Sequence, residues 1–162
     1  MKLHCITLLW QDFNIVFIVS ACLLGLKCRW NGLKYPAEKR LLYLSGAIPL
    51  CPEQLGGLAT PRAPAQIING NGFDVLSGRA RVINSAGIDV TLEFIAGAQE
   101  VLKIARQNKI SRAVLKERSP SCAVHCLYQG KALISGMGVT SALLLSEDFD
   151  VLSSEEIDKL YA

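Results

Sequence analysis

The stretch Ala47-Ile-Pro-Leu-Cys-Pro-Glu-Gln-Leu-Gly-Gly57 decides the fold predicted for this chain of 162 residues. A short apolar run ends at Cys51-Pro-Glu53, and two glycines follow. The run is too short for a helix and is bounded by helix-breaking residues, which favours a buried β-strand. Cys51 therefore lies where a strand ends, and Glu53 lies just beyond it in the loop.

Two other apolar runs end in the same way. The run Ile15–Val19 leads into Ser20-Ala-Cys22, and Arg112–Lys116 leads into a loop that carries Ser119 and Cys122. Ligands of open α/β sheets bind at the carboxyl ends of the strands, so we expect the three cysteines to meet there. The sequence thus predicts a site of three thiolates, although a single buried cysteine is more often only a small hydrophobic side chain.

Helical patterns separate these strands. A helix is expected after Pro36, another from Thr91 to about Asn108, and a third after Gly136-Met-Gly138. Strands that alternate with long crossovers predict an α/β fold, in this case a Rossmann-like parallel sheet with helices on both faces. Gly136-Met-Gly138 could also present backbone amides to an anion, but an ordinary helix start is the better interpretation.

The remaining segments are expected to be irregular or small. Residues 51–74 are rich in Gly, Pro and Asn and predict a long loop of the kind that is often functional. Two runs within residues 79–90 predict a small hairpin insertion. Residues 149–152 predict a last strand, and Ser153-Ser-Glu-Glu156 has the capping-box pattern of a short closing helix.

Composition limits the class of protein. The chain is 51% hydrophobic and 19% charged, as expected of one globular domain, which we place at residues 15–162 after an extension of residues 1–14. A net charge of +3, spread along the chain, is too small to predict nucleic-acid binding. Six cysteines in a chain that can build its own core favour a cytoplasmic metal site over a disulfide framework.

The amino terminus allows an alternative. Val19-Ser-Ala-Cys22 could be a lipoprotein signal with Cys22 as the lipidated residue, but Gln11, Asp12 and Asn14 interrupt the apolar stretch before it. No run reaches the length of a membrane span. The expected protein therefore has no membrane segment, and its oligomeric state is left open by the sequence.

Several motifs together resemble one bacterial family. They are Ser20-Ala-Cys-Leu-Leu-Gly25, Cys51-Pro-Glu-Gln-Leu-Gly-Gly-Leu58, Thr60-Pro-Arg-Ala-Pro64, Lys116-Glu-Arg-Ser-Pro-Ser-Cys122 and Gly138-Val-Thr-Ser-Ala142. The chain resembles domain-of-unknown-function family 523, which includes the thiouracil desulfurases. The resemblance runs from about Ile15 to the carboxyl end, with the motifs in matching order.

The resemblance implies a site and a reaction. Desulfurases of this kind hold a 4Fe–4S cluster on three cysteines, which match Cys22, Cys51 and Cys122, and leave one iron open. That iron takes the sulfur of a thiolated pyrimidine or related thioamide without redox change, and sulfide is released. The residues matching Glu53 and Ser119 handle protons and orient the substrate. Without the resemblance, Glu53 could be a solvated loop residue and Ser119 could simply start a turn.

Other residues depart from this pattern or lie beside it. Ala123-Val-His125-Cys126 stands where the family usually has glycine and a small residue, so His125 and Cys126 could support a zinc- or thiol-based module without desulfurase activity. Cys28 is expected to be structural or a spare sulfur-handling thiol. Arg62 could anchor a ligand, though a salt bridge between loop and core is the commoner role of such an arginine.

Overall fold

The computed structural model describes residues 16–161, so the predicted extension, with Cys5, and Ile15 lie outside the described residues. The strands in this range are β1 (Phe17–Ser20), β2 (Ala47–Leu50), β3 (Ala65–Ile68), β4 (Arg81–Asn84), β5 (Arg112–Leu115), β6 (Cys126–Gln129), β7 (Ala132–Ser135) and β8 (Asp150–Ser153). The helices are α1 (Lys39–Leu42), α2 (Pro52–Leu55), α3 (Gly72–Leu76), α4 (Thr91–Gln107) and α5 (Val139–Ser146). Two 3-10 helices span Ala21–Leu24 and Ile157–Tyr161.

Four strands form a parallel sheet in the order β2-β1-β5-β8. The central strand β1 is buried on both faces because its successive side chains point to opposite sides of the sheet. Phe17 and Val19 pack on one face with Leu41 of α1, whereas Ile18 packs on the other face with Val101 of α4. The predicted Rossmann-like sheet with helices on both faces is confirmed.

The strand order places a crevice beside β1. The chain passes from β1 to β2 on one side and later returns to β5 on the other side. Such a reversal separates the connections at the carboxyl ends of the strands, and this is where open α/β sheets bind their ligands. Cys22, Cys51 and Cys122 all follow strands that border this crevice.

Helix α2, which begins directly after Cys51, crosses α4 at backbone contact. A Cβ atom added at Gly56 would lie 1.9 Å from the Glu93 carbonyl oxygen, and one added at Gly97 would lie 1.9 Å from the Pro52 carbonyl oxygen. Only glycine permits this approach, since any side chain would push the two backbones apart. The two glycines therefore fix the position of the turn that carries Cys51 and Glu53.

The segment between β2 and α4 is more regular than the sequence predicts. Residues 51–74 were expected to be a long loop, but they contain α2, β3 and the start of α3. The expected hairpin within residues 79–90 is present in a shorter form, because an antiparallel bridge joins Ile83 to Asp89. Strand β4 forms its longer antiparallel ladder with β3. Strand β3 was not predicted because the prolines just before it argue against a strand, and because its partner β4 lies further along the chain.

Other helix predictions hold with shifted ends. Helix α4 runs over nearly the whole predicted range, while α1 has a single turn that begins at Lys39 rather than after Pro36. The closing helix is a 3-10 helix. Gly138 starts α5, and its N–H donates to the Ala123 carbonyl oxygen at 2.8 Å, as expected of an ordinary helix start. Among residues 16–161, no helix has the length and apolarity needed to cross a bilayer.

A buried carboxylate holds the loop between β5 and β6. One oxygen of Glu117, Oε1, accepts hydrogen bonds from the backbone N–H groups of Val124, His125 and Cys126 at 3.0–3.1 Å, and the Ser153 hydroxyl donates to Oε2. Burial alone would raise the pKa of Glu117, but the Ser153 hydroxyl and the backbone amides outweigh burial and lower the pKa below its usual value. The Glu117 carboxylate therefore holds together the loop that carries Ser119 and Cys122.

We predict that Glu117→Gln lowers the free energy of unfolding by about 2–4 kcal/mol at neutral pH. The backbone N–H groups of the loop would then donate to a neutral side-chain oxygen and no longer to a carboxylate. The folded pKa lies below the unfolded value of 4.5, so the wild-type advantage is complete above that value and shrinks as the pH falls below it. Urea unfolding at several pH values measures both effects.

The matched control is Glu155→Gln, since Glu155 pairs with Arg118 and its side chain is 56% exposed. This surface pair is expected to contribute less than about 1 kcal/mol. Equal stability losses in the two variants, or a Glu117→Gln effect that does not shrink in acid, would contradict the role given to Glu117.

Candidate functional site

The crevice at the carboxyl ends of β1, β2 and β5 opens into a cavity of about 730 Å³. This volume lies within the usual range of small-molecule sites. The predicted site residues Cys22, Cys51, Cys122, Glu53 and Ser119 all line it. The fold thus brings together side chains that are up to one hundred residues apart in the sequence.

Each thiol is placed by a different element. Cys22 lies in the 3-10 helix after β1, Cys51 precedes α2, and Cys122 lies in the loop after β5. Cys122 also tethers α5, because its carbonyl oxygen accepts a hydrogen bond from the Ser141 hydroxyl at 2.7 Å. None of the described cysteines forms a disulfide, so all three thiols are available as ligands.

The pKa values of two of these thiols are raised by their surroundings. Burial raises the pKa of Cys122 to about 12. A hydrogen bond with Cys28 and burial raise the pKa of Cys51. Iron or any other thiophilic metal must therefore displace these protons, because the thiolate is the ligand.

The chemistry of the donors indicates which kind of metal centre they could hold. Over the described range 16–161, no three His, Cys, Asp or Glu side chains form a group that could hold a single metal ion. Cys22, Cys51 and Cys122 all line the cavity, and thiolates are the ligands of iron–sulfur clusters. The chemistry of this donor set therefore fits an iron–sulfur cluster.

His125 and Cys126 do not join this set. The His125 ring lies at the surface, where its Nε2 is 2.9 Å from Oε2 of Glu156, and Cys126 begins β6 outside the cavity lining. His125 and Cys126 therefore do not form the zinc site that the sequence allowed for them. Instead, the backbone N–H groups of both residues donate hydrogen bonds to the Glu117 carboxylate.

Glu53 lies in the first turn of α2 and is held by Arg62. The Arg62 Nε donates to Glu53 Oε2 at 2.6 Å, and both side chains are largely buried. The other Arg62 nitrogens donate to backbone or hydroxyl oxygens of Ala59, Thr60 and Cys28 at 2.9–3.2 Å. Arg62 is therefore the salt bridge between loop and core, and it orients the Glu53 carboxylate rather than binding a ligand itself.

Ser119 begins a turn and also lines the cavity. Its Oγ accepts hydrogen bonds from the backbone N–H groups of Ser121 and Cys122, both at 3.2 Å, as in an ordinary serine turn. The same side chain lines the cavity. Because the oxygen is an acceptor in both of these bonds, its proton remains available for a molecule in the cavity.

Basic residues on the cavity wall were not predicted from the sequence. Lys116 and Arg29 both line the cavity and lie on the Tyr35 ring, at 5.0 and 5.2 Å from its centroid. Burial lowers the pKa of Lys116. Arg118 also lines the cavity, so three basic side chains can offset negative charge there. Lys116 and Arg118 belong to the motif Lys116–Cys122, but no sequence pattern indicates that they share a cavity with Arg29, so only the fold reveals this grouping.

The outer wall carries two aromatic side chains. Trp30 and Tyr128 are both about half exposed and both line the cavity. Tyr128 belongs to the hairpin of β6 and β7, which the sequence did not predict. A pair of hydrogen bonds between the Gln66 side chain and the backbone of Gly130, at 2.8 and 3.0 Å, ties this hairpin to β3. The cavity therefore offers flat apolar surfaces at its mouth and thiols at its base.

Comparison with known proteins shows which proteins this chain is similar to. A sequence profile of the family 2-thiouracil desulfurase matches residues 17–156. An uncharacterized Bacillus subtilis (strain 168) protein, YbbK, is 41% identical over 150 residues, which are 90% of this chain and 99% of YbbK. The solved structure of the [4Fe-4S]-dependent thiouracil desulfidase TudS is similar with a TM-score of 0.80 and 36% identity, over 90% of this chain and 95% of that chain.

The profile covers the three strands, the cavity and every predicted site residue. The family resemblance noted in the motifs is therefore confirmed, and this chain belongs to the 2-thiouracil desulfurase family.

Proposed function

We propose that this chain is a desulfidase that depends on a 4Fe–4S cluster and removes sulfur from a thiolated pyrimidine such as thiouracil. The observation that supports it is the convergence of Cys22, Cys51, Cys122 and Glu53 on one cavity. The similarity to TudS, a [4Fe-4S]-dependent thiouracil desulfidase, agrees with this donor set. We expect the reaction in the cytoplasm, where thiols stay reduced.

The three cysteines would hold the cluster and leave one iron open. When bound, the cluster supplies a soft Lewis acid for the thiocarbonyl sulfur, which prefers iron to a hard cation. The basic wall of Lys116, Arg29 and Arg118 offsets the negative charge of three thiolates. Trp30 and Tyr128 provide flat surfaces against which a pyrimidine ring stacks at the mouth.

The reaction is a hydrolysis with no change of oxidation state. Water forms a C–O bond at the thiocarbonyl carbon, the C–S bond breaks, and the products are the oxygenated pyrimidine and hydrogen sulfide. Glu53 accepts a proton from the attacking water and returns one to the departing sulfur. Arg62 keeps the carboxylate aimed into the cavity, and the Ser119 hydroxyl orients the substrate by donating its hydrogen bond.

We predict that Cys51→Ala abolishes cluster binding. Three thiolates are already one fewer than the usual four, so loss of another leaves the core without sufficient ligands. The purified protein is reconstituted anaerobically with iron and sulfide, and iron per chain is measured together with sulfide release from thiouracil. Cys126→Ala, which removes a thiol outside the cavity, is expected to behave like wild type.

Zinc without iron in anaerobically purified wild type would support a zinc- or thiol-based module of the same family instead. Full iron content in Cys51→Ala would also contradict the proposal.

Glu53→Gln is expected to keep the cluster and lose activity. The amide occupies the same volume but cannot take up a proton, so kcat for sulfide release should fall about 10²–10⁴-fold. Iron content and kcat are measured on the same preparation. Glu100→Gln, on the exposed side of α4, serves as the control. Wild-type turnover by Glu53→Gln would remove this residue from the mechanism.

Ser119→Ala tests the hydroxyl. We expect a decrease in kcat/KM for thiouracil of about tenfold or more, since one hydrogen bond to the reacting molecule is lost. Ser119→Thr retains the hydroxyl and should recover part of the activity. Because Ser119 also holds the turn before Cys122, iron content is measured in both variants. If both variants bind iron and work equally well, the hydroxyl has no role in the reaction.

A further inference from the structure

The hairpin of β6 and β7 is fastened to β3 by the side chain of Gln66. Its Oε1 accepts a hydrogen bond from the Gly130 N–H at 2.8 Å, and its Nε2 donates to the Gly130 carbonyl oxygen at 3.0 Å. The two residues are 64 positions apart in the chain. A carboxamide has an acceptor and a donor side by side, so it binds both backbone groups of Gly130 in one orientation. Gln66 therefore holds the turn of the hairpin much as a neighbouring strand would.

The two ends of this hairpin are held differently. At its base, Leu127 is buried in a cluster with Ile67 of β3 and Val139 of α5. At its tip, which comprises residues 128–133, every residue is exposed. Within the part of the chain that the structure describes, the Gln66 pair is the only side-chain hydrogen bonding that reaches the tip. The position of the tip therefore depends on Gln66.

The hairpin tip forms part of the cavity wall. Tyr128 lines the cavity and lies two residues before Gly130. Gln66 and its cross-strand partner Ile83 line the same cavity, whereas the next residue of β3, Ile67, is buried on the opposite face. One face of β3 and β4 and the hairpin tip thus bound the cavity together, and Gln66 lies where they meet.

We propose that Gln66 is a positioning residue that holds Tyr128 in place for the pyrimidine ring and thereby sets how tightly the substrate binds. This inference rests on the proposed function, in which Tyr128 is a stacking surface at the mouth of the cavity. Because Gln66 orders the tip in advance, substrate binding does not have to order it. Without Gln66 the hairpin is held only at its base, and affinity for the substrate falls. The chemical step does not involve this contact, so kcat should change little.

The experiment compares wild type with Gln66→Ala, which removes both hydrogen bonds, and with Gln66→Glu, which has the same shape but places a carboxylate oxygen against the Gly130 carbonyl oxygen. The readouts are kcat and KM for sulfide release from thiouracil, and hydrogen exchange of the amides of residues 128–133. We expect faster exchange at these amides and a higher KM in both variants, with kcat close to wild type. The rise in KM for Gln66→Ala should approach about tenfold, the usual cost of ordering one side chain on binding.

A double variant separates this role from a merely structural one. If Gln66 acts through the Tyr128 ring, Gln66→Ala causes no further rise in KM once Tyr128→Ala is present, so the two effects are not additive. Gln129→Ala is the matched control, because Gln129 is an exposed glutamine of the same hairpin that does not line the cavity. This control should match wild type in every readout.

Unchanged exchange or an unchanged KM in Gln66→Ala would overturn the inference while the proposed function stands. An equal rise in KM from Gln66→Ala with and without the Tyr128 ring would also overturn it, because Gln66 would then act by another route. Wild type that releases no sulfide from thiouracil would overturn the proposed function and this inference together, and that result is distinct from the other two.

Discussion

The hydrogen bonds that converge on the Glu117 carboxylate are the interaction on which the site depends. Strand β5 brings this side chain into the core, and the loop that follows turns back so that three consecutive N–H groups reach Oε1. A buried charge is tolerable only when it is fully hydrogen-bonded, so the loop has little freedom to adopt another path. Ser119 and Cys122 lie inside this closed loop, and their positions follow from it.

The other two cysteines are placed by equally local constraints. Cys22 follows the buried central strand within a single 3-10 turn. Cys51 is held by the backbone contact of α2 with α4, which only Gly56 and Gly97 allow. Three separate sets of contacts within the chain thus position the three thiols. Contacts that hold ligands in place lower the cost of ordering them around a bound group.

Much of this arrangement could be predicted because short patterns in the sequence indicate it. The apolar runs before Cys22, Cys51 and Cys122 identify strands, and parallel strands place their carboxyl ends at one edge. The antiparallel pairs were missed or mispaired. Strand β3 pairs with β4, which lies beyond α3 in the chain. Strands β6 and β7 are short and their side chains are largely exposed, so neither β6 nor β7 shows a strong apolar alternation in the sequence. Tyr128 was consequently not associated with the cavity.

By itself, the sequence determined the parallel sheet and the family, and it indicated that Cys22, Cys51, Cys122, Glu53 and Ser119 share one edge of that sheet. It could do so because strand propensity and breaker positions act over a few neighbouring residues. Only the tertiary structure decided what each side chain faces. It turned Arg62 toward Glu53 and left His125 at the surface. It also placed the Cys28 carbonyl beside the Cys51 thiol, and Lys116 together with Arg29 on Tyr35. These relations depend on packing between distant segments, and distance along the chain does not encode direction in space.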